Sequence, residues 1–319
     1  MQYGPINNIW RRTIAACFLL ASLLQFVQYA KAQESPLVLL LSNQQSGPYN
    51  LTMEAFKDRL AQYLPQAEYM FHLADNEAET NPSHLVSKDT KAPPDFIFSL
   101  GTRAATIAQS TFPDTPVLAT MILQEKTLDN KANKNVILVQ FSVEVQLEWL
   151  QKFLPSVRRV GILYNPDQNS QWIKEAEKFS QGKNIEIVPF AIHSAKQLKS
   201  GLTYISRNAD VLLAIPDQTV YSGKTAKEVL LVSYRNRIPF IGLSASWVKA
   251  GALYALGIDY QDLGRQAAEL ANNVLAGKSA GKTPVYPEKI IYTLNSRTID
   301  HLRLKINNDL IEGSAKVFD

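Results

Sequence analysis

Short apolar runs recur along this chain, each closed by a polar turn and followed by a stretch with helical spacing. That alternation leaves few folds open. In the first half the runs are Pro36–Leu41, Tyr69–Leu73, Asp95–Leu100, Pro116–Met121 and Asn135–Phe141. Helical spacing is read over Leu51–Leu64, Arg103–Ser110 and Val145–Leu154, and Pro65 and Pro155 stop two of these helices. Runs apolar at every position, not at alternate ones, are strands buried on both faces.

The second half begins again. Strands are expected at Arg159–Tyr164, Ile185–Phe190, Asp210–Ile215, Pro239–Gly242 and Ala252–Leu256. Helices are expected at Ser170–Phe179, Leu198–Ser206, Thr225–Tyr234 and Leu263–Leu275, with a turn at Asn165-Pro166. Strands joined by helical crossovers make parallel sheets covered on both faces. Two runs divided near Pro155 predict an α/β chain of two doubly wound parallel-sheet lobes. A length of 319 residues at 46% hydrophobic supplies enough apolar surface for two such lobes.

The segment before the first strand reads as an export signal. Arg11 and Arg12 precede the apolar stretch Thr13–Val27, and Ala30-Lys31-Ala32 is a small-x-small cleavage pattern. Fifteen residues of helix reach about 22 Å, short of the roughly 30 Å hydrocarbon core of a bilayer. Cleavage is expected after Ala32. Cys17 follows the arginines without an apolar core before it, so it does not read as a lipid-attachment site. The mature protein is expected to begin at Gln33, to lack cysteine, and to be soluble in the periplasm.

Charge excludes one large class of partner. The chain carries 33 basic and 29 acidic residues; three of the basic ones precede Gln33, leaving 30 against 29. A near-neutral surface offers no field to concentrate phosphate backbones, so no nucleic-acid partner is expected. Catalytic signatures are missing as well. There is no glycine-rich dinucleotide or phosphate loop, no Gly-x-Ser-x-Gly elbow, and no Cys/His spacing suited to zinc. His72, His84, His193 and His301 fall on unrelated elements and read as surface or packing residues. No enzyme, metal or cofactor is expected.

Ligands of doubly wound sheets bind beyond the carboxyl ends of the strands. The polar residues at those ends are Ser42-Asn43-Gln44, Gly101-Thr102, Asn165 to Gln168, and Asp217-Gln218-Thr219.

Certain segments look familiar. Leu154-Pro155-Ser156-Val157-Arg158-Arg159-Val160-Gly161-Ile162-Leu163-Tyr164-Asn165-Pro166, together with Gly257-Ile258-Asp259-Tyr260 and Leu263-Gly264-Arg265, resembles the ABC-transporter substrate-binding proteins. Within that family it resembles the tryptophan- and other aromatic-amino-acid-binding proteins. Ile215-Pro216-Asp217-Gln218-Thr219-Val220, Ile238-Pro239-Phe240 and Val248–Leu253 add to the match, which runs from about Asp95 to Asn295. The resemblance implies a type I periplasmic binding fold, with three chain crossings between lobes that close on a small molecule. After the leader at 1–32, it implies a first lobe of 33–154 plus 258–283 and a second lobe of 155–257 plus 284–319. Hinges are expected near Leu154-Pro155-Ser156, Leu256-Gly257-Ile258 and Thr283-Pro284-Val285. The expected partners are a small molecule, such as an amino acid or another small carboxylate, and an ABC permease; the protein is expected to be a monomer. The same cleft would equally serve a ligand-sensing partner of a membrane receptor. An exported α/β enzyme is the third reading, and it lacks a nucleophile–base pair.

The expected ligand contacts are Asn43, Gln44, Tyr49, Thr102, Arg103 and Thr120 from the first lobe. From the second they are Asn165, Gln168, Asp217, Thr219, Ser244, Trp247 and Asp259. Tyr49, Tyr164 and Trp247 are the stacking candidates for a planar ligand. Two places depart from the family. Aromatic-amino-acid binders carry His-Pro and an acidic residue after the first strand, where Ser42 to Tyr49 stands here. An acidic residue often precedes the Lys-Gly-Ala stretch, where Ser244-Ala245-Ser246-Trp247 stands. An α-ammonium group needs carboxylate or carbonyl partners, so the ligand class does not follow from the resemblance.

Overall fold

The computed structural model describes residues 35–74, 92–123, 134–278 and 284–319. The expected leader with its cleavage site, His84, and Thr283 of the expected third hinge lie outside the described residues.

Strands β1 (Leu37–Ser42), β2 (Glu68–Leu73), β3 (Phe96–Leu100), β4 (Val117–Ile122) and β5 (Lys134–Leu138) form a parallel sheet in the order β2-β1-β3-β4-β5. Strand β1, flanked by β2 and β3, shows why the continuous apolar run was needed. Val38 and Leu40 pack toward helices α1 (Pro48–Tyr63) and α8 (Tyr260–Leu275). Leu39 and Leu41 pack toward helix α2 (Thr102–Thr111) on the other face. All four are buried, and each such side chain contributes about 1.5–3 kcal/mol on transfer from water.

The second sheet is assembled in the same manner. It comprises β6 (Arg159–Tyr164), β7 (Glu186–Ala191), β8 (Val211–Leu213), β9 (Phe240–Ile241), β10 (Tyr254–Ile258), β11 (Ile290–Asn295) and β12 (Lys316–Phe318). Their order is β12-β11-β10-β9-β8-β6-β7. Val160 and Ile162 face a core shared with helices α3 (Val143–Phe153) and α4 (Pro166–Ser180). Leu163 faces a core with helices α5 (Leu198–Asn208) and α6 (Ala226–Arg235). Strand β11 runs antiparallel to β10, with Leu256 opposite Tyr292. It reaches the sheet directly from the first lobe, without a helical crossover on its own sheet, so nothing forces it to run parallel.

Two expectations about local structure shift. The turn at Asn165-Pro166 is instead the start of α4: Asn165 Oδ1 accepts the Asp167 N–H at 3.0 Å, and Pro166 stands at the first helical position, where a missing N–H costs nothing. A further short helix, α7 (Ala245–Lys249), follows β9, where the sequence pattern names no element.

The crossings also shift. Helix α3 packs through Val143, Leu147, Leu150 and Phe153 into the core of the second sheet, so the chain has already left the first lobe by residue 143. The expected boundary at 154, with its hinge at Leu154-Pro155-Ser156, therefore moves upstream to residues 140–142. Pro155 breaks a helix inside the second lobe. The third crossing moves downstream. Val285 bridges Ile137 of β5, its N–H donating to Val136, so it still belongs to the first sheet. The chain passes over between Tyr286 and Lys289. The middle crossing, expected near Leu256-Gly257-Ile258, lies just after it, between Ile258 at the end of β10 and Tyr260 at the start of α8, because Leu256 and Gly257 are paired with β11.

Helix α8 lies against α1 on the first lobe. Gly264 sits where the two helices approach most closely, since a Cβ there would overlap the carbonyl oxygen of Thr52. Thr52 Oγ1 also donates to the Tyr260 carbonyl at 3.1 Å.

Candidate functional site

A cavity of about 720 Å³ lies between the lobes, beside the crossings. The first-lobe side contributes Pro48, Leu123, Val139 and Tyr260. The first crossing contributes Gln140 and Phe141. The second lobe supplies the ends of β8 and β9, the start of α7 and the β10–β11 pair. This volume is within the range of small-molecule sites. Its walls are mainly aliphatic and aromatic, with amides and hydroxyls from Gln140, Gln146, Ser244, Ser246 and Thr293.

One wall is reinforced from behind. Phe153 stacks on Tyr254 at 4.0 Å between ring centroids and 23° between planes, and it meets Tyr292 edge-on at 5.3 Å. Trp149 lies 5.1 Å from Tyr292. Helix α3 thus backs the β10–β11 pair with aromatic faces, which add stabilisation beyond area burial. Burial pushes the Tyr254 phenol well above its ordinary pKa, so it stays neutral. Tyr260 is half-buried, and its phenol is raised by burial and by the neighbouring Tyr49. Gln146 Nε2 donates to the Phe141 carbonyl at 2.8 Å, and Ser142 caps α3, so the first crossing is held from both sides.

Of the expected ligand contacts, Ser244 lines this cavity. The rest serve the scaffold or stand apart. Asp217 is buried. Its Oδ2 accepts the Asn165 N–H at 2.6 Å and Asn169 Nδ2 at 2.9 Å; its Oδ1 accepts the N–H groups of Thr219 and Val220 at 2.9 and 3.0 Å. Asn165 and Gln168 both donate to Thr219 Oγ1, at 2.9 and 3.1 Å. These four residues form one network that fastens the loop after β8 to the start of α4. A buried carboxylate must be saturated by donors, and this one is saturated internally.

In the first lobe, Asn43 Oδ1 accepts the Ala104 N–H at 2.8 Å, which caps α2 from the neighbouring strand exit. Gly101 makes room for it: its φ is 104°, and a Cβ there would lie 2.5 Å from the Asn43 side chain. Thr120 is buried and donates to the Ile137 carbonyl at 3.0 Å, so it ties β4 to β5. Gln44 and Arg103 are exposed, Thr102 is half-buried, and none of the three lines the cavity. Tyr49 and Tyr164 pack against the cores of their lobes. Trp247 lies edge-on to Phe240 and Tyr221, at 5.6 and 6.0 Å, and packs against the core of the second lobe.

Asp259 caps α8 by accepting the N–H groups of Gln261 and Asp262, both at 3.1 Å, and pairs with Lys289 at 2.8 Å. Burial works to raise its pKa. The Lys289 ammonium and the Asp262 N–H outweigh that and hold it below the ordinary value.

The sequence reading missed Phe141, Gln146, Tyr254, Tyr260 and Tyr292 as cavity residues. Phe141 was read as the end of a strand that stops at Leu138. Tyr260 was available from its place directly after the middle crossing. Tyr292 required the antiparallel pairing of β11, which no local pattern announces.

Residues 53–318 match the family of ABC transporter substrate binding proteins. The chain belongs to this family. Among its relatives, a "Tyrosine-binding protein" of Clostridioides difficile (strain R20291) is 27% identical over 252 residues, covering 76% of this chain and 69% of that protein. Solved structures share the fold at lower identity. A substrate-binding protein with adhesive properties from Clostridium difficile, in a ligand-free open form, aligns with a TM-score of 0.70 at 22% identity, over 89% of this chain and 99% of that one. An ABC domain in complex with L-Trp from Streptococcus pneumonia aligns with a TM-score of 0.56 at 19% identity, over 88% and 100%. Family membership and architecture agree: the substrate-binding protein is a two-lobed α/β chain joined by three crossings. Among the described residues no helix is long and apolar enough to cross a membrane.

Proposed function

We propose that this substrate-binding protein is exported, loses its leader after Ala32, captures a small molecule between its lobes and hands it to an ABC permease. The observation that carries the reading is the cavity of about 720 Å³ walled by both lobes and by a crossing, since only such a site couples occupancy to lobe closure. Arg11-Arg12, the apolar core and Ala30-Lys31-Ala32 support export.

The ligand proposed is a small molecule with a planar or apolar body, and L-tyrosine is the first candidate. The name of the Clostridioides difficile relative supports that candidate, as does a cavity flanked by Phe141, Tyr254, Tyr260 and Tyr292. Polar atoms of the ligand would meet Gln140, Gln146, Ser244 and Ser246. Asp217, Asn165, Gln168 and Thr219 shape the second-lobe rim without touching it.

A thermal-shift screen over amino acids, small carboxylates, purines and peptides tests the reading. A ligand that binds only the folded state raises the melting midpoint by mass action. An aromatic amino acid should give the largest shift, and a screen in which only non-aromatic compounds stabilise the protein would reject this ligand class.

A further inference from the structure

We propose that the Asp259–Lys289 ion pair is an electrostatic tie between two of the three crossings that favours the lobe arrangement seen here, so that Asp259 and Lys289 act on cleft affinity without touching ligand.

The argument begins with what each partner is attached to. Asp259 is fixed to the first lobe, because its carboxylate caps α8, and α8 packs on α1. Lys289 directly precedes β11 of the second lobe, whose first residue, Ile290, pairs with Ile258 of β10. The Nζ–Oδ2 contact of 2.8 Å therefore spans the joint where the lobes meet. Rotation of the second lobe relative to α8 must lengthen it or rebuild it.

A second contact shows that α8 grips the same crossing further back. Gln266 Nε2 donates to the Tyr286 carbonyl at 2.9 Å and approaches Glu288 Oε1 at 3.5 Å. The crossing is thus held to the first lobe as far as Glu288, while Lys289 moves with β11, so the ion pair joins the two sides of the pivot. Lys289 is 55% exposed and Asp259 21% exposed, so the pair is accessible to salt. A pair this exposed is too weak to hold the fold. It is strong enough to bias two arrangements of similar energy.

The test measures lobe spacing without ligand. Spin labels at Asp114→Cys and Lys183→Cys, both exposed and on opposite lobes, are placed in a full chain that also carries Cys17→Ser. Distance distributions are recorded at about 20 mM and about 500 mM salt, on either side of effective screening. High salt should lower the population at the spacing of this structure by about 1.5- to 5-fold, the range of an exposed ion pair. Lys289→Gln should show that loss at low salt and respond no further to salt, and Lys289→Glu should move further in the same direction. Asp259→Asn should match Lys289→Gln, because asparagine keeps the helix cap while losing the charge.

Distributions of Lys289→Gln and Asp259→Asn that superimpose on the parent at both salts would overturn the tie. For its effect on ligand the inference rests on the cleft reading, and a parallel titration with L-tyrosine separates the two. Moved distances with no tyrosine binding would sink the ligand reading alone. Tyrosine binding with unmoved distances would sink the tie alone.

Discussion

The backbone N–H of Asn165 donates to Oδ2 of Asp217 at 2.6 Å, which fastens the end of β6 to the loop after β8. Asp217→Ala would remove the acceptor for this N–H and for the N–H groups of Thr219 and Val220. The expected cost is about 2–4 kcal/mol, the scale for stranding buried donors. Urea denaturation followed by circular dichroism measures it. A loss below roughly 0.5 kcal/mol, the scale of a neutral surface change, would show that Asp217 is not structural.

The stacked ring of Phe153 is the support of the cavity wall. Phe153→Ala should destabilise the protein by about 3–5 kcal/mol, as large-to-small changes at buried aromatic positions do. Tyr254→Phe should cost far less, since its buried hydroxyl has no hydrogen-bond partner among the described residues. Thermal and urea melts of the two variants should therefore diverge, and equal losses would count against the wall as described.

Gly264→Ala should be costly although it adds one methyl group. Its Cβ would press on the backbone of α1 at Thr52 and Phe56, which cannot move aside as a side-chain tip would. Overpacking of this kind costs about 1–3 kcal/mol. A crystal structure of the variant should show α8 displaced from α1; an unmoved helix with parent-like stability would contradict the reading.

Asp210 gives a pH signature. Burial works to raise its pKa, but hydrogen bonds from the Arg159 guanidinium and from the N–H groups of Arg159 and Arg158 outweigh it, so the folded value lies below the ordinary one. The stability it contributes is therefore present above the unfolded pKa of about 3.9 and is lost as pH falls through the folded value. Asp210→Asn should flatten that part of the stability curve measured in urea between roughly pH 5 and pH 2. A variant whose curve keeps the parent slope would locate the acid sensitivity elsewhere.

Much of this architecture was legible in the residues. Leu37 to Ser42 is apolar on both faces because the strand is covered on both, and β6 begins and ends where its apolar run does. The crossings were less legible. Prolines mark where helices end, but Pro155 ends α3 within the second lobe, and only packing shows which sheet a helix belongs to. The site was least legible. Polar residues at strand exits were expected to face a ligand, yet Asn43, Thr120, Asn165 and Asp217 face the backbone of their own lobe. A parallel sheet leaves unpaired N–H groups at each exit and helix start, and short polar side chains are what satisfy them. The cavity is instead lined largely by apolar and aromatic residues, which local pattern cannot tell from core.

Calorimetric titration of L-tyrosine into the parent protein and into Ser244→Trp tests the central claim most directly. Ser244 is exposed, lines the cavity and makes no side-chain cap bond, so the indole should fill the cleft without disturbing the fold. The account predicts saturable binding to the parent and a loss of at least about tenfold, or 1.4 kcal/mol, in the variant at an unchanged melting midpoint. Equal affinity in both proteins, or no binding to the parent, would contradict it.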